Sequence, residues 1–104
     1  MIDVSGKHLE TVRRILAEYV GDCEVRAFGS RVGQTAKEHS DLDVAVVGTH
    51  KMQRRTKMLL REAFEESDLP FRVDVIDYNA VSDEFRAIID VKYEILQRND
   101  KTPI

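Results

Sequence analysis

The chain reads as one α/β domain, a small mixed β-sheet with helices packed on one face. Three observations predict this class. Segments with apolar residues at three- and four-residue spacing take turns with short runs that alternate apolar and polar. Gly21, Gly48 and Pro70 close such segments, where helices and strands must stop. A length of 104 residues supports one hydrophobic core and is too short for a second.

Ser5 is a candidate N-cap for a first helix, in which Leu9, Val12, Leu16, Tyr19 and Val20, with Ile15 beside them, form one apolar face up to Gly21. Glu24 to Phe28 alternates as a short strand running into Gly29-Ser30, and a short helix or turn then extends to about Ala36. Lys37 to Ser40 is a polar loop, and Asp41 to Val47 is the second strand. Thr49 or His50 begins a long helix whose buried stripe is Met52, Leu59, Leu60, Ala63 and Phe64, ended by Pro70. Phe71 to Asp77 alternates strictly, with Arg72, Asp74 and Ile76 on one face and Phe71, Val73 and Val75 on the other. Ser82 caps a last helix with Phe85, Ile88 and Ile89 as its stripe. Residues 93–97 fit either a continuation of that helix or a short strand, and the core is expected to span about 5–97, with 98–104 as a tail.

Composition narrows the function classes. A charged fraction of 34% and a hydrophobic fraction of 42% suit a globular chain, and no long apolar segment or leader pattern is visible, so a cytoplasmic protein without a membrane partner is expected. A single cysteine, Cys23, excludes an internal disulfide framework and a cysteine metal cluster. A formal net charge of −3 argues against strong nucleic-acid binding by the chain itself.

The chemistry concentrates between Phe28 and Val47. Gly29 tolerates a tight backbone where a strand hands over to a helix, and Ser30 offers a hydroxyl and an N–H suited to phosphate. After ten intervening residues, Asp41 and Asp43 share one face of a strand while Leu42, Val44 and Val46 take the other. Two carboxylates held so close repel each other, and the pair calls for a cation. Asp74, inside a strand where Asp is disfavoured, would join them if that face is open. Three strand-borne carboxylates suit one or two Mg²⁺ ions, which prefer oxygen ligands and leave positions for water and substrate phosphates.

Gly-Ser, ten residues, Asp-x-Asp, then a later strand Asp resembles the signature of the DNA polymerase β-like nucleotidyltransferases. Within them, GSR followed by SDLDVAVV resembles the minimal nucleotidyltransferases, many of which are antitoxins paired with HEPN-domain toxins that are RNases. The resemblance covers about Leu9 to Ile89. It implies a polymerase β-like palm fold, with Gly29, Ser30 and Arg31 binding the nucleotide and Asp41, Asp43 and Asp74 as the metal-binding, catalytic carboxylates. It further implies Mg²⁺, ATP as donor, and transfer of AMP to a tyrosine hydroxyl of a HEPN partner, silencing it. Where family members often carry a basic residue and then Gly, this chain has Gly33-Gln34. Two other functions fit the same residues: an antitoxin that only occludes its partner, and a transferase acting on a small molecule or an RNA end. A homo-oligomer is left open.

Other polar residues carry blander readings. Asp77 falls on the face opposite Asp74 at a strand end and reads as a turn or cap residue. Lys51, Arg54, Arg55 and Arg61 read as a solvated helix face, and His39 as a loop residue without a role. His8, His50 and Cys23 share no ligand spacing. Ser30 lacks the G-x-S-x-G setting of a hydrolase nucleophile.

Overall fold

The computed structural model describes residues 2–33 and 40–99. Ser5 opens the first helix as its position predicts. Its hydroxyl accepts the His8 amide, and α1 (Gly6–Val20) runs to a C-cap at Gly21 with Val12, Ile15, Leu16 and Val20 buried. The strand β1 (Glu24–Phe28) leads into the short helix α2 (Ser30–Gly33). β2 (Leu42–Val47), α3 (Arg54–Glu65), β3 (Val73–Asp77), α4 (Asp83–Val91) and β4 (Glu94–Gln97) follow.

The four strands form one sheet in the order β3-β2-β1-β4. β1 is antiparallel to β2 and β4, whereas β2 and β3 are parallel, so the sheet is mixed. A parallel pair cannot be joined by a hairpin, and here α3 makes the crossover. Alternation sends Val25 and Ala27 of β1, Leu42, Val44 and Val46 of β2, and Val75 of β3 to the same side. There they meet Val12 and Leu16 of α1 and Leu60 and Phe64 of α3 in the main core. Leu16 and Leu60 are fully buried, and truncating either to Ala would cost about 2–5 kcal/mol.

The opposite face is not left wholly open. Ile89 of α4 packs on Phe28 and Ala45, with Ile76, Tyr78, Phe85 and Tyr93 around them. Two helices therefore cover one face of the sheet and a third covers half of the other. α4 rests on the sheet through the i, i+4 pair Phe85 and Ile89, so Ile88, expected in its buried stripe, is 66% exposed. Beyond Ala45 and Ile76, toward the start of β2 and β3, the face carries Asp43 and Asp74.

Three element boundaries differ from expectation. α3 starts at Arg54 rather than Thr49 or His50 because the preceding loop is held by side chains from the end of β3. Asp77 accepts the Met52 amide at 2.8 Å, and the Asn79 amide group donates to the carbonyls of Gly48 and His50 at 2.8 and 3.0 Å. Asp41 and Phe71-Arg72 lie just outside their strands. Residues 94–97 are a strand, because β1 has a free edge that they pair with. The expected extension of α2 to Ala36, most of the 37–40 loop with His39, and the tail from Asp100 lie outside the described residues. No helix among the described residues is long and apolar enough to cross a membrane.

Candidate active site

Gly29 is where the site is put together. Its φ of 80° lies in the left-handed region, and a Cβ built there would collide with the Asp43 carboxylate. One requirement is on torsion and the other on space, and together they exclude any side chain. The turn after β1 consequently passes in direct contact with a carboxylate of β2. The Gly29 carbonyl accepts the amides of Val32 and Gly33 at 3.0 and 2.9 Å, which makes α2 a single turn with Ser30 at its head.

Register brings the acids together. Asp43 is paired with Phe28 on one side and with Asp74 on the other, so the Gly29 turn, Asp43 and Asp74 lie in one row across three adjacent strands. Neighbouring strands are about 4.8 Å apart, and two unit charges at that separation repel by about 3 kcal/mol at an effective dielectric of 20. Asp41 sits two residues before Asp43, just ahead of β2, and is close enough for its charge to act on Asp43. The ion pairs among the described residues join Arg26 to Glu24 and Asp90, and Arg86 to Asp83; none reaches Asp41, Asp43 or Asp74. Burial pushes the Asp43 carboxyl up to about 6, with Asp74 and then Asp41 adding to the shift.

The donor set fits a hard divalent cation. Among the described residues no group of three or more His, Cys, Asp or Glu side chains is already placed to hold a metal ion by itself. Magnesium does not need such a group, since it typically takes one or two carboxylates and fills its other positions with water and phosphate oxygens. What the site offers is a carboxylate cluster that no ion pair among the described residues compensates, beside a turn that only glycine can make.

A cleft of about 620 Å³ opens next to the acids, between the C-terminal half of α3 and the entrance to β3. Asp41 and Asp74 form part of its wall, Arg61 and Arg72 its charged rim, and Leu69 and Phe71 part of its apolar lining.

Comparison with known proteins agrees with this geometry. The family described as polymerase beta, nucleotidyltransferase matches residues 10–102. The chain belongs to that family. It is 43% identical over 101 residues to the probable protein adenylyltransferase MntA of Haemophilus influenzae (strain ATCC 51907 / DSM 11121 / KW20 / Rd), covering 97% of this chain and 89% of the relative. Two solved structures share the fold. A toxin-antitoxin crystal structure with AMP-PNP has a TM-score of 0.74 at 19% identity, and a mutant of the toxin-antitoxin MntA-HpeT has 0.73 at 17%. Each match covers 89% of this chain and 75% of the other.

For Arg31 the structure changes the expectation. Phosphate binding needs an accessible guanidinium, and in this nucleotidyltransferase Arg31 is only 8% exposed. Its Nε donates to the Ser40 carbonyl at 2.9 Å, an Nη to the Asp3 carbonyl at 2.8 Å, and the group lies 4.4 Å from the centre of the Phe71 ring. It ties the residue just before Asp41 to the N-terminal segment. Asp77, by contrast, is a loop-tying residue as its strand-end position suggests, buried and accepting the amides of Met52 and Asn79.

Arg61 and the cleft were not legible as a site. Arg61 reads as one more charge on a solvated helix face, and only the packing of α3 beside β3 brings it near Asp74. A weak signal existed in Arg72, which shares the alternation of Asp74.

Proposed function

We propose that this chain is a magnesium-dependent protein adenylyltransferase that moves AMP from ATP to a hydroxyl of a partner toxin, a tyrosine of a HEPN-domain protein, and thereby acts as its antitoxin. The observation that carries the reading is the row formed by the Gly29 turn, Asp43 and Asp74, with Asp41 beside it and no ion pair among the described residues reaching these acids. The adenylyltransferase named among its relatives and the toxin-antitoxin structures that share its fold support the same direction.

Asp41, Asp43 and Asp74 are the residues that would hold Mg²⁺, which supplies positive charge against the charge building up on the transferring phosphate. The other parts come from the chain. The Gly29-Ser30 turn cradles the outer phosphates, where the absence of a side chain allows close backbone approach. The acceptor oxygen forms a bond to the α-phosphorus as the bond from that phosphorus to the pyrophosphate oxygen breaks. The hydroxyl proton passes to a carboxylate oxygen of Asp74, and pyrophosphate leaves. Asp43 must be ionised to take part, and its raised pKa means that this state is costly until a cation is near.

The test is incubation with ATP labelled at the α-phosphate, magnesium and the partner protein. Label on the partner is expected, lost with EDTA and with Asp41→Asn or Asp74→Asn. No label on the partner, or equal labelling by Asp74→Asn, refutes the proposal. Inhibition of the toxin that persists without ATP and with Asp43→Asn would identify an occluding antitoxin instead.

A further inference from the structure

The geometry points to the cleft between α3 and the entrance to β3 as the acceptor subsite, which holds a polypeptide segment by Arg61 and Arg72 and delivers its hydroxyl to the acids. This assignment rests on the proposed transfer and specifies from which side the substrate arrives.

The side follows from the order of the strands. The turn assigned to the outer phosphates ends β1, and Asp74 is on β3, with β2 and Asp43 between them. That separation is two strand spacings, about 10 Å. In phosphoryl transfer the attacking and leaving oxygens lie roughly in line on opposite sides of the phosphorus. With pyrophosphate departing toward Gly29-Ser30, the attacking oxygen has to come in over β3. The cleft opens on that side, and Asp41 and Asp74 are part of its wall.

Its lining states the kind of occupant. A volume of about 620 Å³ is large enough for an aromatic side chain with its neighbouring main chain. Leu69, Pro70 and Phe71 suit an apolar ring, while Asp41, Glu65 and Asp74 in the same wall repel a polyanion such as RNA. Arg61 and Arg72 are both exposed, and no hydrogen bond or ion pair among the described residues engages either guanidinium group, the Arg72 main-chain carbonyl alone accepting the Leu42 amide. Arg26, Arg31 and Arg86 are each tied to partners within the protein. Two guanidinium groups on the rim of a mixed, partly apolar cleft match the carbonyl and carboxylate oxygens of a peptide. The transfer then balances as above: the acceptor oxygen binds the α-phosphorus, its proton goes to Asp74, and pyrophosphate exits at the far end of the row.

The experiment measures initial rates of AMP transfer against partner concentration for the full chain, Arg61→Ala, Arg72→Ala, and Arg54→Ala as a control on the same helix, with affinity for AMP-PNP and magnesium measured in parallel. Thermal melts verify that the variants, all at exposed positions, fold. Loss of a charge-assisted hydrogen bond predicts an acceptor KM raised about tenfold or more in Arg61→Ala and Arg72→Ala. Nucleotide affinity should stay as in the wild type, and Arg54→Ala should be unaffected. An unchanged acceptor KM overturns the assignment. A loss of nucleotide affinity instead gives the cleft to the donor, and arginine-dependent labelling of an RNA 3′ end gives it to RNA; both overturn it. If the wild-type chain labels no partner at all, the proposed function falls and the subsite with it, which is a different result from labelling that ignores the arginines.

Discussion

Replacing Asp43 by Asn should make the metal-free protein more stable. The carboxyl titrates at about 6 in the fold against a usual value of 3.8, because it is half-buried and faces Asp74 and Asp41. A shift of about two units corresponds to about 3 kcal/mol, and the partial exposure of the group lets solvent screening reduce this to about 1–2 kcal/mol. The sign is that of an acid whose folded pKa is raised. Well below pH 3.8 the group is protonated in both states and costs nothing; the penalty builds as pH rises from 3.8 toward the folded value of about 6 and is fully present above it. At pH 7 without divalent cations, Asp43→Asn should therefore melt at least about 4 °C above the wild type, and the difference should shrink toward zero at pH 4. Magnesium should narrow the gap at pH 7, since a ligand at ten times its dissociation constant adds about 1.4 kcal/mol to the state that binds it. Circular dichroism melts of both proteins at pH 4 and 7, with EDTA or magnesium, read all of this. A variant less stable than the wild type at pH 7, or a gain that is the same at pH 4, would show that the acids are not an uncompensated cluster.

Gly29→Ala should lower stability by about 1–2 kcal/mol from the left-handed torsion alone, with the clash at Asp43 adding to it, and calorimetric titration should find nucleotide binding lost. Arg31→Ala should cost about 2–4 kcal/mol in chemical denaturation, because two buried hydrogen bonds and the contact with Phe71 disappear together. It should also slow transfer through the displaced approach to Asp41, and Arg31→Lys should recover little, since one ammonium cannot span both carbonyls. Asp77→Ala leaves the amides of Met52 and Asn79 without their acceptor, so its melt should fall by an amount equivalent to about 1–3 kcal/mol, with transfer below the melt unchanged.

The parts of the fold that were legible are those in which local chemistry and periodicity agree. Ser5 and Ser82 cap helices as expected because a hydroxyl can reach an amide three residues on without help from the rest of the chain. β1 spans Glu24–Phe28 as read, and β2 and β3 differ from expectation only at their first residues. The start of α3 is not legible in the sequence because Thr49 and His50 look like a helix entrance, while the competing partners, Asp77 and Asn79, lie at the end of a different element. Ile88 fits the apolar stripe of α4 by spacing and is nonetheless exposed, because spacing cannot tell which apolar residues of a short helix find something to cover them.

The candidate site divides the same way. The amino-acid order alone predicts that Asp41 and Asp43 project together by strand alternation; β2 begins at Leu42, and their proximity in the fold is seen in the charge of Asp41 adding to the upward shift of Asp43. The same order also selects Gly29-Ser30 as a turn able to approach a phosphate, since that freedom belongs to glycine itself. Tertiary structure decided the rest. Strand order and register align Asp74 with Asp43, the Gly29 turn is pressed against a carboxylate, the Arg31 side chain is drawn inward, and a cleft forms beside the acids. These depend on which strands pair and how far they slide, and pairing energy is a sum over contacts between segments distant in sequence, invisible to any local pattern.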